Sequence, residues 1–123
     1  MTTLDVQENY LSGSLKGLPP NILVFEAQAN SLTGTIPQLP STLQALTLAR
    51  NRISGTIPFT LPSLLTLSLE FNELTGTLGF LKTMPQLQFG TLSNNRFTGQ
   101  MPPWYSMSQD LDVLTFANNL LTG

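Results

Sequence analysis

Apolar residues recur along the chain in a short pattern that is repeated six times. Two copies show it most plainly, as Leu46-x-Leu48 and Leu67-x-Leu69, in which alternate residues are apolar. A period of two places both leucines on one face of an extended strand. The pattern therefore predicts one short strand in each copy, and stacking the copies pairs these strands into a parallel sheet.

An asparagine and a glycine mark every copy. Successive asparagines are 21, 21, 21, 23 and 24 residues apart, and a glycine follows each one after four residues. The asparagines are Asn9, Asn30, Asn51, Asn72, Asn95 and Asn119. The glycines are Gly13, Gly34, Gly55, Gly76, Gly99 and Gly123. An Asn amide donates and accepts hydrogen bonds at once, so stacked Asn side chains can satisfy the backbone of a buried turn. We predict that the asparagines form a structural ladder.

The repeats begin near residues 1, 22, 43, 64, 87 and 111 and form a single array over residues 1–123. Their return segments are short and rich in Pro, Gly, Ser and Thr, which predicts extended or 3₁₀ backs. Proline ends the second extended stretch of several copies, at Pro37, Pro58 and Pro102. Only the longer fifth return, residues 102–110, is predicted to hold a helical turn. The fold class is a β-rich solenoid of about six repeats with little or no helix.

These columns are similar to those of leucine-rich-repeat proteins, over essentially the whole chain. The stretch ISGTIP at residues 53–58 resembles the plant-specific LxGxIP subclass, and MPPWYSM at residues 101–107 resembles surface leucine-rich-repeat proteins of trypanosomatids. The resemblance implies a right-handed coil or horseshoe that binds partners, usually proteins, on its concave strand face. It implies no catalysis and no cofactor, and it favours an extracellular or cell-surface location.

Three features depart from that family pattern. Three intervals are 21 residues, whereas the plant subclass usually has 24. Gly90 stands where other copies carry a large apolar residue, and a bulge or a shifted Phe89 is expected to compensate. Both ends lack Cys-bearing capping segments, since Met1 already occupies a repeat position. We expect a piece of a longer array, whose uncapped ends allow end-to-end self-association.

Composition and charge narrow the function further. The chain has a net charge of −2 and contains no His and no Cys. No basic surface is present to hold nucleic acid by counterion release. His- or Cys-dependent nucleophilic catalysis and the usual zinc sites are excluded. No apolar run approaches the ~18 residues of a membrane span, so direct membrane insertion is not expected. Asp110 and Asp112 are interpreted as solvated turn residues, and the sequence predicts no enzyme.

The residues that alternate with the core leucines face the concave side. They vary from an acidic end to a middle that carries Arg50 and two aromatic residues. Phe71 and Phe89 are predicted to act as anchors, because a few large side chains carry most of the binding energy of interfaces. The acidic end favours a basic protein partner. The predicted partner-binding residues are Asp5, Glu8, Glu26, Arg50, Glu70, Phe71 and Phe89. The competing interpretation is that these are ordinary polar strand residues.

Two further features keep alternatives open. Ser and Thr flank the glycine of each copy, and by alternation their side chains point outwards. We name this surface the Ser/Thr face, and its residues are Ser12, Ser14, Thr33, Thr35, Ser54, Thr56, Thr75, Thr77, Thr98 and Gln100. A flat lattice there would suit ice or carbohydrate binding, and a structural surface-coat segment is a third interpretation. In the apolar stretch Pro102, Pro103, Trp104, Tyr105 and Met107, the Trp104 and Met107 side chains are expected to fill the core; docking on the back is the alternative.

Overall fold

The computed structural model describes residues 2–57 and 60–122. Met1, Pro58 and Gly123, which belong to the repeat pattern above, lie outside the described residues, as do Phe59 and the side chain of Tyr105.

One parallel sheet of six short strands runs through the described part of the chain. Each strand covers three residues, and the strands lie in sequence order, β1-β3-β5-β7-β9-β11. They are β1 (Thr3–Asp5), β3 (Val24–Glu26), β5 (Ala45–Thr47), β7 (Thr66–Ser68), β9 (Phe89–Thr91) and β11 (Val113–Thr115). Each strand pairs with the equivalent residues of the next repeat, as where Leu46 lies opposite Leu67. The predicted solenoid of about six turns is confirmed.

A second set of short strands follows the Asn turns. These strands are β2 (Ser12–Ser14), β4 (Ser31–Thr33), β6 (Ser54–Gly55), β8 (Glu73–Leu74), β10 (Thr98–Gln100) and β12 (Leu120–Thr122). They pair as β2-β4, β6-β8 and β10-β12. Backbone hydrogen bonds also link the pairs, for example from the Ser54 N–H to the Gly34 carbonyl at 2.9 Å. The six-stranded sheet and the second set of strands lie on either side of the turn that holds the asparagine.

The core is a column of leucines between the six-stranded sheet and the second set of strands. Leu46, Leu48, Leu67 and Leu69 are at most 1% exposed, as the period-two pattern predicts. Burying one such side chain stabilises the fold by about 2 kcal/mol. The second inward column is buried in the middle of the array, where it contains Leu32, Ile53, Leu74 and Phe97, whereas Leu11 in the first repeat is exposed.

Within the described part of the chain, two 3₁₀ helices lie on the back of the array. One spans Trp104–Ser106, in the fifth return, where a helical turn was predicted. The other spans Leu78–Thr83, so the expectation that only the fifth return is helical was wrong. This fourth return is helical because the turn buries Phe80 against the Phe97 ring, with centroids 5.8 Å apart. Neither helix, nor any other helix in the described residues, is long and apolar enough to cross a membrane.

Trp104 does not fill the core as expected. Its side chain is 75% exposed, because the 3₁₀ turn directs it away from the leucine column. Met107, three residues later, is partly buried and packs against the core, as expected. Of Trp104 and Met107, only Met107 therefore contributes to the core of this longer repeat.

Gly90 is accommodated differently from the expectation. The β9 strand keeps regular pairing through Gly90, opposite Leu67 and Leu114, and has no bulge there. Phe89 stays outside the core at 41% exposed. A Cβ atom on Gly90 would meet Leu114 Cδ1 at 3.0 Å and Leu87 Cδ2 at 3.5 Å. The two leucines therefore lean into the space that a side chain at this position would occupy.

This packing predicts that Gly90→Ala stabilises the protein. Glycine inside a strand costs roughly 0.5–1 kcal/mol relative to alanine. Leu114 is only half-buried and its methyl group can move by the few tenths of an ångström that the new Cβ requires. We expect a melting temperature higher by about 2 °C in thermal denaturation. Gly17→Ala, with open space around it, controls for the chain-entropy part alone. A lower melting temperature for Gly90→Ala would mean that Leu114 is fixed.

Candidate functional site

The turn after each sheet strand is built around the asparagine. Asn51 Nδ2 donates to the carbonyls of Leu48 in its own repeat and Ala27 in the preceding one, both at 3.0 Å. Its Oδ1 accepts from the Leu32 N–H at 3.0 Å. Asn72 and Asn95 repeat this arrangement one and two repeats further on. Each of these three side chains therefore ties its own turn to the repeat before it.

The residue before each asparagine adopts a left-handed backbone conformation. These residues are Glu8, Ala29, Arg50, Phe71, Asn94 and Asn118, with φ between 54° and 62°. For residues other than glycine, this conformation costs about 1–2 kcal/mol relative to the right-handed one. Sequence reasoning did not predict this conformation, because four of these six residues are of types that rarely adopt it. The asparagine hydrogen bonds on either side hold the backbone there, and this sets where Arg50 and Phe71 project.

Arg50 and Phe71 form one contact at the turn edge of the sheet. The Arg50 guanidinium carbon lies 4.6 Å from the centroid of the Phe71 ring, which is within range of a cation–π interaction. Phe71 is 45% exposed, so a large part of its ring remains open to a ligand. The two residues occupy equivalent positions in neighbouring repeats. The repeat therefore presents a cation and an aromatic ring side by side at the solvent-facing side of the sheet, which we call the sheet face.

Two of the predicted acidic residues lie together at one end of the sheet face. Asp5 is directly opposite Glu26 in the pairing of β1 with β3. Gln7 bonds both Asp5 carboxylate oxygens, through its N–H at 3.1 Å and its amide at 3.0 Å. Glu8 lies at the turn edge of the same repeat. Among the described residues, no group of three or more His, Cys, Asp or Glu could hold a metal ion.

Polar side chains in the middle of the sheet face are hydrogen-bonded to one another. Glu70 accepts from Ser68 Oγ at 2.9 Å and from Thr91 Oγ1 in the next repeat. Thr47 donates to Gln28 at 2.8 Å, and Gln28 in turn donates to Gln7. Sequence reasoning missed this network, although the polar side chains recur at the expected outward positions. Glu70 is therefore held by hydroxyl groups.

Phe89 lies apart from the other predicted binding residues. Phe89 begins β9 and so lies on the side of the sheet where the strands start. Phe71 follows the end of β7 and lies on the side where the strands end. The neighbour of Phe89 across the strand pair is Val113, and both side chains are 41% exposed. The site residues thus fall into three areas, an acidic end, the Arg50–Phe71 edge and the Phe89 edge.

The hydroxyl residues of the Ser/Thr face do not lie directly opposite their equivalents in the next repeat, and the same offset recurs in the described strand pairs. Its strands pair with a stagger of two residues, so Ser12 lies opposite Ser31 and not opposite Thr33. The space above Gly55 is filled by the Thr35 methyl group, which would lie 2.7 Å from a Cβ at that position. The glycines take φ between 78° and 90°, and four of them, Gly34, Gly55, Gly76 and Gly99, lie close to a Ser or Thr side chain of the preceding repeat.

A charged column borders the Ser/Thr face. Arg52, Glu73 and Arg96 precede its first hydroxyl residues by two positions, on the same side of the strand. The Arg96 guanidinium lies 3.7 Å from the Glu73 carboxylate.

Comparison with known proteins supports the repeat assignment. Residues 42–64 match the Leucine Rich Repeat family model. No curated protein sequence matches the chain closely enough to count as a relative. The chain superposes with a TM-score of 0.77 on the Arabidopsis receptor kinase HAESA in complex with the peptide hormone IDA and the co-receptor SERK1. That match has 28% identity and covers 98% of this chain and 26% of the other.

Two further structures share the fold. The BIR2 ectodomain from Arabidopsis thaliana is 36% identical with a TM-score of 0.61, over 74% of this chain and 52% of the other. A plant ice-binding protein has a TM-score of 0.77 and 22% identity, over 100% of this chain and 42% of the other, and shows the fold alone. The chain spans about a fifth to about a half of the length of its structural neighbours. The matched repeat and these neighbours show that the chain is a leucine-rich-repeat protein.

Proposed function

We propose that this chain is a non-catalytic scaffold that binds a protein or peptide partner on the sheet face, the concave face of the family. The observation that carries the proposal is the exposed Arg50–Phe71 pair, which the Asn turns hold in a fixed position at the edge of the sheet. A half-exposed aromatic ring beside a guanidinium group is typical of interface hot spots.

The dimensions and rigidity of the sheet face support this function. Six strands at the usual spacing of about 4.8 Å give a surface roughly 25 Å across, which accommodates an interface of standard size. The hydrogen bonds that link Glu70 with Ser68 and Thr91 fix side chains before a partner arrives. Such pre-organisation lowers the entropy cost of binding. HAESA, a structural neighbour, is known in complex with a peptide hormone, and an extracellular or cell-surface location is part of the proposal.

The proposal predicts that Phe71→Ala weakens partner binding without unfolding the protein. A displayed library of random linear peptides, selected on the wild-type chain, supplies the probes. We expect the dissociation constants of enriched peptides to rise about tenfold in Phe71→Ala, measured by fluorescence anisotropy. Since the ring is 45% exposed, the melting temperature should fall by no more than about 3 °C.

Thr33→Ala, on the Ser/Thr face, is the matched control and should leave the same peptides bound. Loss of binding in Thr33→Ala alone would contradict the proposal and favour the Ser/Thr face, and with it the ice or carbohydrate alternative. A library from which no peptide is enriched would favour a structural surface-coat segment. Unfolding of Phe71→Ala would place the ring in the core.

A further inference from the structure

A cleft of about 390 Å³ opens beside Phe89, where two neighbouring loops enter β9 and β11. The ring of Phe89 and the side chain of Leu111 supply its apolar surface. Amides and carboxylates complete it, and the full lining is Gln88, Phe89, Gln109, Asp110, Leu111 and Asp112. The cleft lies at the strand-start edge of the sheet face, away from the Arg50–Phe71 pair.

The apolar side of this cleft lies where two neighbouring repeats both expose a large apolar side chain. Phe89 and Val113 lie opposite each other and are both 41% exposed. The same column holds Thr3, Val24, Ala45 and Thr66 in the preceding repeats, and Val24, the large apolar residue among them, is less exposed than Phe89 and Val113. Exposed large apolar side chains in adjacent repeats form a contact surface for a ligand side chain.

The acidic side of the cleft lacks an internal counter-ion. Asp110 and Asp112 are both exposed. In residues 2–57 and 60–122, the ion pair that forms is the one between Arg96 and Glu73. The loop that carries the two carboxylates is held in place, because the Asp112 N–H donates to the Gln88 carbonyl at 2.8 Å. The Asp110 N–H donates to Ser108 Oγ at 3.1 Å.

We propose that this cleft binds a lysine or arginine side chain from an extended segment of the partner, an inference that rests on the proposed function. The aromatic ring of Phe89 provides a partner for a cation–π contact, and the carboxylates of Asp110 and Asp112 complement the charge of the cation. The aliphatic part of the same side chain packs on Leu111. A basic segment is the occupant because two carboxylates border the cleft and no basic residue lines it.

The test uses a capped peptide of alternating arginine and leucine, and a matched peptide in which citrulline replaces arginine. Binding to the full chain is followed by amide chemical shifts in ¹H–¹⁵N spectra. We expect shifts at the amides of Phe89, Asp112 and Val113, and weaker binding of the citrulline peptide. The dissociation constant of the arginine peptide should rise about fivefold in Asp112→Asn and in Phe89→Thr. Thr is the residue of the preceding repeat at that position, so Phe89→Thr preserves the strand.

Glu73→Gln is the control, because it removes one carboxylate outside the sheet face. Equal effects of Asp112→Asn and Glu73→Gln, or equal binding of the two peptides, would overturn the proposal. Shifts confined to Asp5 and Glu26 would overturn it while leaving sheet-face binding intact. Shifts at Phe89 that depend on protein concentration without peptide would identify a second copy of the chain as the occupant. The proposed function fails separately, if peptides selected from the library bind Phe71→Ala unchanged.

Discussion

Replacing Asn51 with alanine is expected to lower the free energy of unfolding by about 3 kcal/mol, the largest effect we predict for a single substitution. Asn51 is 8% exposed, and its amide bonds the carbonyls of Ala27 and Leu48 and the N–H of Leu32. Alanine leaves the buried Leu32 N–H without a partner, at a cost of roughly 1–3 kcal/mol, and it removes one of the two Asn donors from which the Ala27 and Leu48 carbonyls each accept. Thermal denaturation should show a melting temperature lower by about 10 °C.

Asn9→Ala is the matched control at the first copy of the ladder. Asn9 is exposed and bonds the Val6 and Gln7 carbonyls at 3.0 Å, where water can replace it. Its loss should cost less than about 1 kcal/mol. If Asn51→Ala lowers the melting temperature by less than about 2 °C, or by no more than Asn9→Ala, the asparagines are not what holds the turns.

Gly55→Ala is expected to cost about 2–3 kcal/mol, for two separable reasons. Gly55 has φ of 84°, a conformation that alanine adopts at a cost of about 1–2 kcal/mol. The new Cβ would also lie 2.7 Å from Thr35 Cγ2, so the threonine methyl must move within a packed stack, at a cost of about 1 kcal/mol. The expected fall in melting temperature, by circular dichroism, is about 8 °C.

Two variants separate these contributions. Gly13→Ala has a similar φ of 87° and nothing within 4 Å of the new Cβ, so it measures the backbone cost alone. Thr35→Ser removes the obstructing methyl group, and Gly55→Ala should cost about 1 kcal/mol less in that background. Equal losses in Gly55→Ala and Gly13→Ala would show that the threonine yields freely and that the close approach between repeats is unimportant.

Prediction from the sequence was accurate at positions where the same type of residue has the same structural role in every copy. Leu46 and Leu67 are buried as the period-two pattern requires, because a strand has only two faces and one must meet the core. It failed where the local environment differs between copies. Trp104 was expected to fill the extra core volume of a longer repeat, but a 3₁₀ turn directs it outwards. Gly90 was expected to need a bulge or a shifted Phe89, but Leu114 from the next repeat fills the space.

The candidate site was predicted as a set of residues and not as an arrangement. Alternation placed Phe71 and Phe89 on the same face, which requires only the strand period. Their separation to opposite edges depends on where each strand begins and ends. The cleft beside Phe89 was not predicted, because Asp110 and Asp112 belong to a loop whose path depends on contacts with Gln88 in the neighbouring repeat.

The sequence by itself determined the repeat, its strand, its asparagine turn and its inward leucines, because each follows from the chemistry of one residue and its neighbours along the chain. Only the tertiary structure decided the left-handed residue before each asparagine, the stagger of the Ser/Thr face and the contact of Arg50 with Phe71. These depend on how one repeat settles on the next. That fit is set by hydrogen bonds and contacts between residues about twenty positions apart, and the order of residues within one repeat does not specify it.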